Sequence, residues 1–382
     1  MKPLFGLWLL LCVLVAPSMA ETESVEAILT RTLNAPKVCD YQGTIMRKTS
    51  PAGEDTERVV QRVFHKRPRR DRVDVLAPRP GAVTIRIDDD VYWREPKADS
   101  IAYSHRRGPG ERVLDSGLRF SDTDLLMANY DVTVRGRDVL LGRETVVLTV
   151  RPKHAGRSTK IAWIDTQTGL VLRAEDRDEA ERVITETWFS SLTLNPALDD
   201  RLFATDEWAN RPVEEASIIG CGSIQEAQRI AGFRVAAPVY LPGGFNLERL
   251  RVRSYEGRPL IHFTYTDGLA QFSLFERVAL ATDQAARAWP GGTPERRGTV
   301  DIWKRGLFSI LRRHDGIRLY TVVSNIAESE SIKLIESLRV VELSPELASS
   351  RSSYLWWTAG GGALMAVFVA GWWIIRRRGT FG

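Results

Sequence analysis

Hydrophobic and polar residues alternate over short runs through most of the chain, and this alternation predicts a protein built mainly from β-strands. Between residues 41 and 194 the runs are separated by turn residues, which is typical of antiparallel hairpins that form a curved sheet. Two segments instead have apolar residues at helical spacing, Ser24–Leu33 and Asp122–Asn129. We expect these helices to lie at the beginning and in the middle of the sheet and to cover one face.

A second unit begins near residue 213, where the alternation stops and then restarts. The segment Ser223–Ile230 has a serine and a glutamate at capping-box spacing, which predicts a short helix. Two hairpins follow with turns at Asp267-Gly268 and Asp315-Gly316, and the Asp-Gly pair predicts a type I′ turn in each. An amphipathic helix over Ser329–Leu338 closes this unit.

Both ends of the chain carry membrane signals. A lysine at position 2, an apolar run over Leu4–Val15 and small residues up to Ala20 are the parts of a secretory signal peptide, which we expect to be cleaved after Ala20. The alternative is an uncleaved anchor. The stretch Tyr354–Ile375 has no charge, is long enough to span ~33 Å as a helix, and is followed by Arg376–Arg378. The sequence therefore predicts one transmembrane helix with a cytoplasmic C-terminus and an exported remainder.

Composition supports a folded, exported protein. The chain has 382 residues, 43% of them hydrophobic and 26% charged, which excludes a disordered or collagen-like protein. The net charge is +5, but Lys2 and Arg376–Arg378 supply four of the 53 basic residues and leave 49 against 48 acidic residues. This charge does not indicate nucleic-acid binding. The predicted organisation is a signal peptide (1–20), a first domain (21–212), a second domain (213–342), a linker (343–353), a transmembrane helix (354–375) and a tail (376–382).

Catalytic and metal-binding motifs do not occur in the sequence. The five histidines are isolated, and no metal-ligand spacing, nucleophile elbow or phosphate-binding glycine loop occurs. We therefore expect no enzyme, metal or cofactor. A hydrolase whose residues are assembled across the fold remains an open alternative.

The exported part keeps two cysteines, Cys39 and Cys221. An even pair in an oxidising compartment is a possible disulfide. Two free, buried thiols are the alternative.

Large apolar residues occur on both faces of the last strand of the first domain, at Trp188 and Phe189. A sheet that is apolar on both faces needs two covers, or one cover and one cavity. This pattern indicates a lipid-binding cleft, and the candidate residues are Trp163, Trp188, Phe64 and Ile85. The alternative is that helices pack on one face and the second domain on the other.

Several strings resemble the RseB/MucB family of periplasmic sigma-E regulatory proteins over residues 22–342. In the first domain they are Asp40–Thr44, Leu125–Val132, Gly142–Arg151 and Ile164–Arg173, and in the second domain Pro238–Phe245. The first domain is also similar to lipoprotein carriers of the LolA type.

The resemblance implies an α+β fold, with an unclosed antiparallel β-barrel whose helices lie in its mouth and a smaller α+β second domain. It also implies a periplasmic binding protein, which the predicted C-terminal helix would hold at the inner membrane. Such a protein would bind the periplasmic part of an anti-sigma factor, shield it from proteolysis and respond to lipid or lipopolysaccharide. Tyr240 and Phe245 are candidate partner-binding residues, and a lipid or lipoprotein carrier is the alternative. The predicted anchor departs from the family, whose members are typically soluble, and would concentrate the protein near a membrane-bound partner.

Overall fold

The computed structural model describes residues 23–50, 56–96, 101–105, 117–208, 213–215, 218–255, 257–280, 283, 293–305 and 308–341. These residues form two large sheets and one small two-stranded sheet. We call the larger sheet with its helices the first lobe, and the other large sheet with its helices the second lobe.

The first sheet has twelve strands and does not close on itself. Their order across the sheet is β12-β6-β5-β4-β3-β2-β1-β11-β10-β9-β8-β7, so that β12 and β7 are its two edges. Neighbours are antiparallel except β12 and β6, which are parallel. The strands are β1 (Tyr41–Thr49), β2 (Glu57–Lys66), β3 (Arg70–Ala77), β4 (Val83–Ile87), β5 (Asp90–Arg94), β6 (Ile101–His105), β7 (Tyr130–Leu140), β8 (Arg143–Pro152), β9 (Thr159–Asp165), β10 (Val171–Arg177), β11 (Val183–Leu194) and β12 (Val213–Glu215).

Two helices cover one face of this sheet. Helix α1 (Val25–Val38) begins where the Ser24 side chain accepts a hydrogen bond from a backbone amide of the first turn, and α2 (Thr123–Asn129) is capped by Asp122 in the same way. Ile28 of α1 and Leu126 of α2 are buried in one apolar cluster with inward-facing strand residues. The packing follows the expectation that helices at the start and middle of the sheet cover one face.

Part of the opposite face is covered by two short 3-10 helices, Asp200–Phe203 and Asp206–Trp208. Phe203 and Trp208 from these turns pack against Ile85 and Ile101 of the sheet. Apolar residues occur on both faces of the first sheet because the α-helices pack on one face and the 3-10 helices pack on part of the other.

Over the described residues, the second lobe contains an eight-stranded antiparallel sheet and two helices. Its strand order is β13-β15-β16-β17-β21-β20-β19-β18, and the small sheet pairs β14 with β22. Both helices pack on one face, where they bury Ala227, Leu334 and Ile335 against the strands. The elements are β13 (Ile218–Cys221), α3 (Ile224–Ala231), β14 (Ala236–Pro238), β15 (Asn246–Tyr255), β16 (Arg258–Thr266), β17 (Gln271–Val278), β18 (Glu295–Arg297), β19 (Val300–Arg305), β20 (Phe308–His314), β21 (Arg318–Ser324), α4 (Glu328–Glu336) and β22 (Leu338–Val340).

Both hairpins predicted from Asp-Gly pairs are present, but their turn type differs from the prediction. A type I′ turn requires positive φ at both central residues. Here Gly268 and Gly316 have positive φ, +102° and +96°, whereas the aspartates do not. The glycine is the first central residue in each turn, as in type II′. Each aspartate directly precedes the glycine. Its carboxylate accepts hydrogen bonds from the backbone amides of the two residues that follow the glycine.

The boundary predicted after residue 212 does not coincide with the division between the sheets. Strand β12 (Val213–Glu215) pairs with β6 in the first sheet, and the second sheet starts with β13. Within the described ranges, no helix is long and apolar enough to cross a membrane. The predicted signal peptide (1–20) and transmembrane segment (354–375) lie outside those ranges.

Candidate functional site

The tip of the β16–β17 hairpin of the second lobe is inserted into the first lobe. Leu269 packs against the apolar cluster that α1 and α2 form with the first sheet. A Cβ atom on Gly268 would stand 2.6 Å from the backbone nitrogen of Leu126 in α2, so only glycine fits there. The two lobes therefore share a part of their core at this tip.

Asp267 at this tip is fully buried and holds the two lobes together. Its carboxylate accepts a hydrogen bond from the Tyr130 hydroxyl at 2.9 Å, and the Arg157 Nε atom lies 2.7 Å from the same carboxylate. Asn129 of α2 donates to the Asp267 carbonyl oxygen at 3.0 Å. The carboxylate also accepts the amides of Leu269 and Ala270, which belong to its own turn. We call Asp267, Tyr130, Asn129 and Arg157 the interlobe cluster.

Burial sets the electrostatics of the interlobe cluster. The Asp267 side chain is 0% exposed and that of Arg157 is 3% exposed. Burial raises the pKa of Asp267, although the amide donors and Arg157 oppose this shift. Burial and the nearby Asp267 charge also raise the pKa of Tyr130, so its hydroxyl remains a donor at neutral pH.

The Pro242–Phe245 segment lies directly beside the interlobe cluster. The carbonyl oxygen of Gly243 accepts a hydrogen bond from Arg157, and Gly244, at φ +81°, lies against Asn129. Phe245 is buried in the second lobe, and its ring centre is 4.9 Å from the Arg157 guanidinium carbon. This proline-glycine segment brings the second-lobe backbone close to the first lobe.

A cavity of about 530 Å³ lies next to this junction and is lined by both lobes. Its charged residues have both signs, with Lys153 and Arg157 opposed by Glu179 and Glu330. The backbone nitrogen of Ala327, before α4, donates to the carbonyl oxygen of Gly156 at 2.8 Å and joins the lobes along one side. A lining with both positive and negative side chains suits a polar, peptide-like occupant better than an acyl chain. The lining residues are Lys153, His154, Ala155, Gly156, Arg157, Glu179, Pro242, Gly243, Ile326, Ala327, Ser329 and Glu330.

A second cavity lies in the first lobe beneath α1, but its volume is only about 40 Å³. A water molecule takes up ~30 Å³ in the liquid, so this space does not hold an acyl chain. A buried charged group lines it. His65 Nδ1 contacts Asp71 at 2.6 Å, His65 Nε2 contacts the Pro36 carbonyl oxygen of α1 at 2.7 Å, and Arg86 forms an ion pair with Asp71.

Neutral imidazole has one N–H donor, and a carbonyl oxygen only accepts, so His65 makes both bonds as a donor when it is protonated. Burial acts to raise the pKa of Asp71, but the Arg86 charge and the His65 hydrogen bond outweigh it and leave that pKa below its usual value. These contacts hold α1 against the sheet over the small cavity.

The four candidate lipid-binding residues do not come together. Phe64 and Ile85 pack beneath the 3-10 helices, whereas Trp163 packs with Val147 and Ile161. Trp188 is partly buried on β11. Strands β4 and β9, which carry Ile85 and Trp163, are six positions apart in the sheet, roughly 29 Å at the usual strand spacing. None of the four lines either cavity.

Of the two candidate partner-binding residues, Tyr240 is the one near the interlobe cavity. Its hydroxyl donates to Glu330, which lines the cavity, and its backbone nitrogen donates to Ser337 at 3.1 Å. Phe245 is buried and contacts the cavity only through Arg157. Phe245 therefore positions the junction, and Tyr240 orients a carboxylate of the cavity wall.

The possible disulfide is not formed, because both cysteines are free thiols in the structure. Cys39 is buried below the end of α1 in the first lobe, and burial raises its pKa to about 11. Cys221 lies on β13 in the second lobe, and its pKa is raised by burial and by Glu226. Both thiols are therefore mainly protonated at neutral pH. Among the described residues, no group of three or more potential ligands is placed to hold a metal ion.

Sequence reasoning missed the interlobe cluster, since an Asp-Gly turn usually faces solvent. One signal pointed to it. Asn129 and Tyr130 lie in Leu125–Val132, and Gly243 and Gly244 lie in Pro238–Phe245, two of the segments that resemble the RseB/MucB family. These strings contribute residues from opposite sides of the same contact.

The fold is therefore that of a two-lobed, β-rich protein whose lobes are joined by a buried polar cluster with a cavity beside it. Residues 24–207 match the family model described as the MucB/RseB N-terminal domain. The resemblance to the MucB/RseB family that the sequence predicted is therefore confirmed over this domain.

Two curated relatives agree with this resemblance. The chain is 24% identical over 255 residues to the sigma-E factor regulatory protein RseB of Haemophilus influenzae, covering 67% of this chain and 73% of that protein. It is 26% identical over 253 residues to the sigma factor AlgU regulatory protein MucB of Pseudomonas aeruginosa, covering 64% and 71%. The crystal structure of MucB in complex with MucA(peri) matches with a TM-score of 0.56 at 20% identity, covering 84% of this chain and 100% of that chain. This last likeness concerns the fold of both lobes.

Proposed function

We propose that this protein is a membrane-anchored periplasmic regulator of an envelope-stress sigma-factor pathway that binds the periplasmic part of an anti-sigma factor. The names of its two relatives describe regulators of sigma-E and of AlgU. The structure of similar fold contains MucB together with MucA(peri). A binding function, and no catalysis, is the activity that these relatives support.

The interlobe cavity is the single structural observation that carries the proposal. It is lined by both lobes and is large enough for several side chains. Its lining offers hydrogen-bond donors and acceptors and side chains of both charges. A polypeptide segment presents both kinds of group along its backbone, so it can satisfy such a lining. We assign partner binding to this cavity, with Glu330 and the Tyr240 that orients it as contact residues.

The proposed location rests on the two ends of the chain. A signal peptide over 1–20 and a helix over 354–375 would place both lobes, within residues 21–342, in the periplasm, held by a linker of residues 343–353. Anchoring keeps the protein close to a membrane-bound partner and raises its effective concentration there.

Sensing of a lipid or lipopolysaccharide signal is the second part of the proposal. The cavity beneath α1 holds about 40 Å³, so an acyl chain enters the first lobe only when α1 moves away from His65. Helix α2 packs in the same apolar cluster as α1 and contacts the hairpin tip at Gly268. Lipid entry would therefore disturb the interlobe contact. Because neither the interlobe cavity nor the small cavity beneath α1 suits an acyl chain, a carrier function is less well supported than regulation.

Binding of the anti-sigma factor is tested with the full-length protein in mild detergent. The periplasmic domain of the anti-sigma factor encoded by the same organism is titrated, and saturable binding is expected. Glu330→Lys should weaken it at least fivefold, while the matched change Glu336→Lys, on the exposed side of the same helix, should not. No binding by the unmodified protein would contradict the proposed function; equal effects of both variants would contradict only the cavity assignment.

A further inference from the structure

The end of the second sheet that lies away from the first lobe has exposed apolar side chains. Strand β17 starts beside the hairpin tip that enters the first lobe and ends at Val278, about 24 Å further along. Val278 is 42% exposed, and Ile317, in the turn between β20 and β21, is 67% exposed. The backbone nitrogen of Ala279 donates to the Ile317 carbonyl oxygen at 2.9 Å, so the two side chains stand on adjacent strand ends.

The chain leaves the second lobe beside these two residues. The Val341 backbone nitrogen donates to the Val235 carbonyl oxygen at 2.9 Å, and the next residue, Ala236, donates its backbone N–H to the Glu276 carboxylate at 2.8 Å. Glu276 stands two positions before Val278 on β17, about 6.8 Å away along the strand. The last described residue of the chain is therefore at the same end of the lobe as the exposed apolar side chains.

Charged side chains of both signs surround this end. Arg234 is exposed directly before Val235, Arg339 is exposed on β22, and Arg258 is exposed at the start of β16, which pairs with β17. Asp315 and the exposed Glu336 are acidic residues at the same end, and residues 342–353 add Glu342, Glu346 and Arg351. The acidic residues offset the arginine charge, so apolar burial has to supply most of the free energy of any contact made here.

We call Val278, Ile317 and the exposed Val340 of β22 the distal patch. We infer that the distal patch docks on the surface of the phospholipid bilayer, an inference that rests on the membrane anchor of the proposed function. Residues 342–353 separate Val341 from the predicted transmembrane helix, and as a random chain they would span ~19 Å. This length keeps the exit end of the second lobe close to the lipid. Apolar side chains can enter the boundary between headgroups and acyl chains, while guanidinium groups beside them donate to lipid phosphates.

Docking through the distal patch would also orient the interlobe cavity. The first turn of α4 lines that cavity, whereas the carbonyl oxygen of its last residue, Glu336, accepts a hydrogen bond from Arg339 at the exit end. Helix α4 has nine residues and is therefore about 13 Å long. The cavity would lie at least this far above the bilayer, where the extramembrane chain of a membrane-bound partner can enter it.

The test measures how close Ile317 comes to lipid in the full-length protein reconstituted in phospholipid nanodiscs. Ile317→Cys, in a Cys221→Ser background, is labelled with an environment-sensitive fluorophore and quenched by lipids that carry a nitroxide near the headgroup end of the acyl chain. Val139→Cys is the matched control, because Val139 is 61% exposed near the end of β7 in the first lobe. Nitroxide lipid should quench the label at position 317 about threefold more strongly than the label at position 139.

A charge reversal is the second variant. Arg234→Glu should reduce quenching at position 317 about twofold, because a carboxylate then faces the lipid phosphates, whereas Arg135→Glu, at an exposed position of β7, should not change it. Equal quenching at positions 317 and 139, or equal effects of the two charge reversals, would overturn the inference and leave anti-sigma binding as proposed. Extraction of the unmodified protein from native membranes by alkaline carbonate would show that it has no anchor, and both the proposed location and the inference would then fail.

Discussion

Replacing Asp267 by asparagine tests whether the interlobe cluster holds the two lobes together. Asparagine keeps one oxygen that can accept the amides of Leu269 and Ala270, so the turn itself retains its hydrogen bonds. The substitution removes the negative charge opposite Arg157 and one acceptor for Tyr130. Its effect is therefore confined to the contact between the lobes.

The magnitude follows from burial. The Asp267 and Arg157 side chains are almost completely inaccessible, so asparagine leaves a buried guanidinium without a counterion. Removing one partner of a buried ion pair costs about 3–5 kcal/mol. Tyr130→Phe removes one hydrogen bond to a charged group and should cost about 2 kcal/mol.

The matched control is Asp315→Asn in the other Asp-Gly hairpin. Asp315 accepts two turn amides in the same way, but its side chain is 30% exposed. We expect a loss of about 1 kcal/mol there, because its ion pair with Arg318 is long, at 3.8 Å, and partly exposed, so it contributes little. The two aspartates thus separate the cost of the turn from the cost of the interlobe contact.

The assay is urea unfolding of the full-length variants, combined with hydrogen exchange of the α2 amides. Asp267→Asn should lower the free energy of unfolding by at least 2 kcal/mol more than Asp315→Asn, and it should speed exchange in α2. Equal losses for the two variants, or unchanged exchange in α2, would refute the reasoning.

Three further predictions concern other contacts. Gly268→Ala should destabilise more than Gly316→Ala in thermal unfolding, because a Cβ at 268 meets Leu126 whereas nothing lies within 4 Å of one at 316; equal losses would contradict this. Burial raises the pKa of Glu276 to about 8 from 4.5, so the folded state holds a proton that the unfolded state releases between these values, and stability falls as the pH rises through 8. Glu276→Gln should flatten that dependence in urea unfolding at pH 6 and 9, and an unchanged slope would count against it. His65→Gln should speed hydrogen exchange of α1 amides but not of α3 amides, since His65 joins the Pro36 carbonyl oxygen of α1 to Asp71 of β3; unchanged rates in α1 would exclude the proposed role.

Local patterns in the sequence predicted the strands and helices well because they depend on neighbouring residues. The helix predicted over Asp122–Asn129 is present as α2 (Thr123–Asn129), and the capping-box pair of Ser223 and Glu226 caps α3 as expected. The first helix continues beyond the predicted Leu33 to Val38, since packing against the sheet extends it through Pro36.

Contacts between distant parts of the chain were not predictable in the same way. Asp267 and Tyr130 are 137 positions apart, and nothing in an Asp-Gly pair indicates that its turn will be buried. The candidate lipid residues were chosen because they are large and apolar, but the strand order separates Ile85 from Trp163.

The position of Leu269 has a consequence for how the polypeptide can be divided. This side chain belongs by sequence to the second lobe but completes the apolar cluster of the first. A cut between the lobes would expose Leu269 on the second lobe and the apolar surface that it packs against on the first lobe. Two halves made as separate polypeptides should therefore reassemble into one particle rather than behave as independent modules.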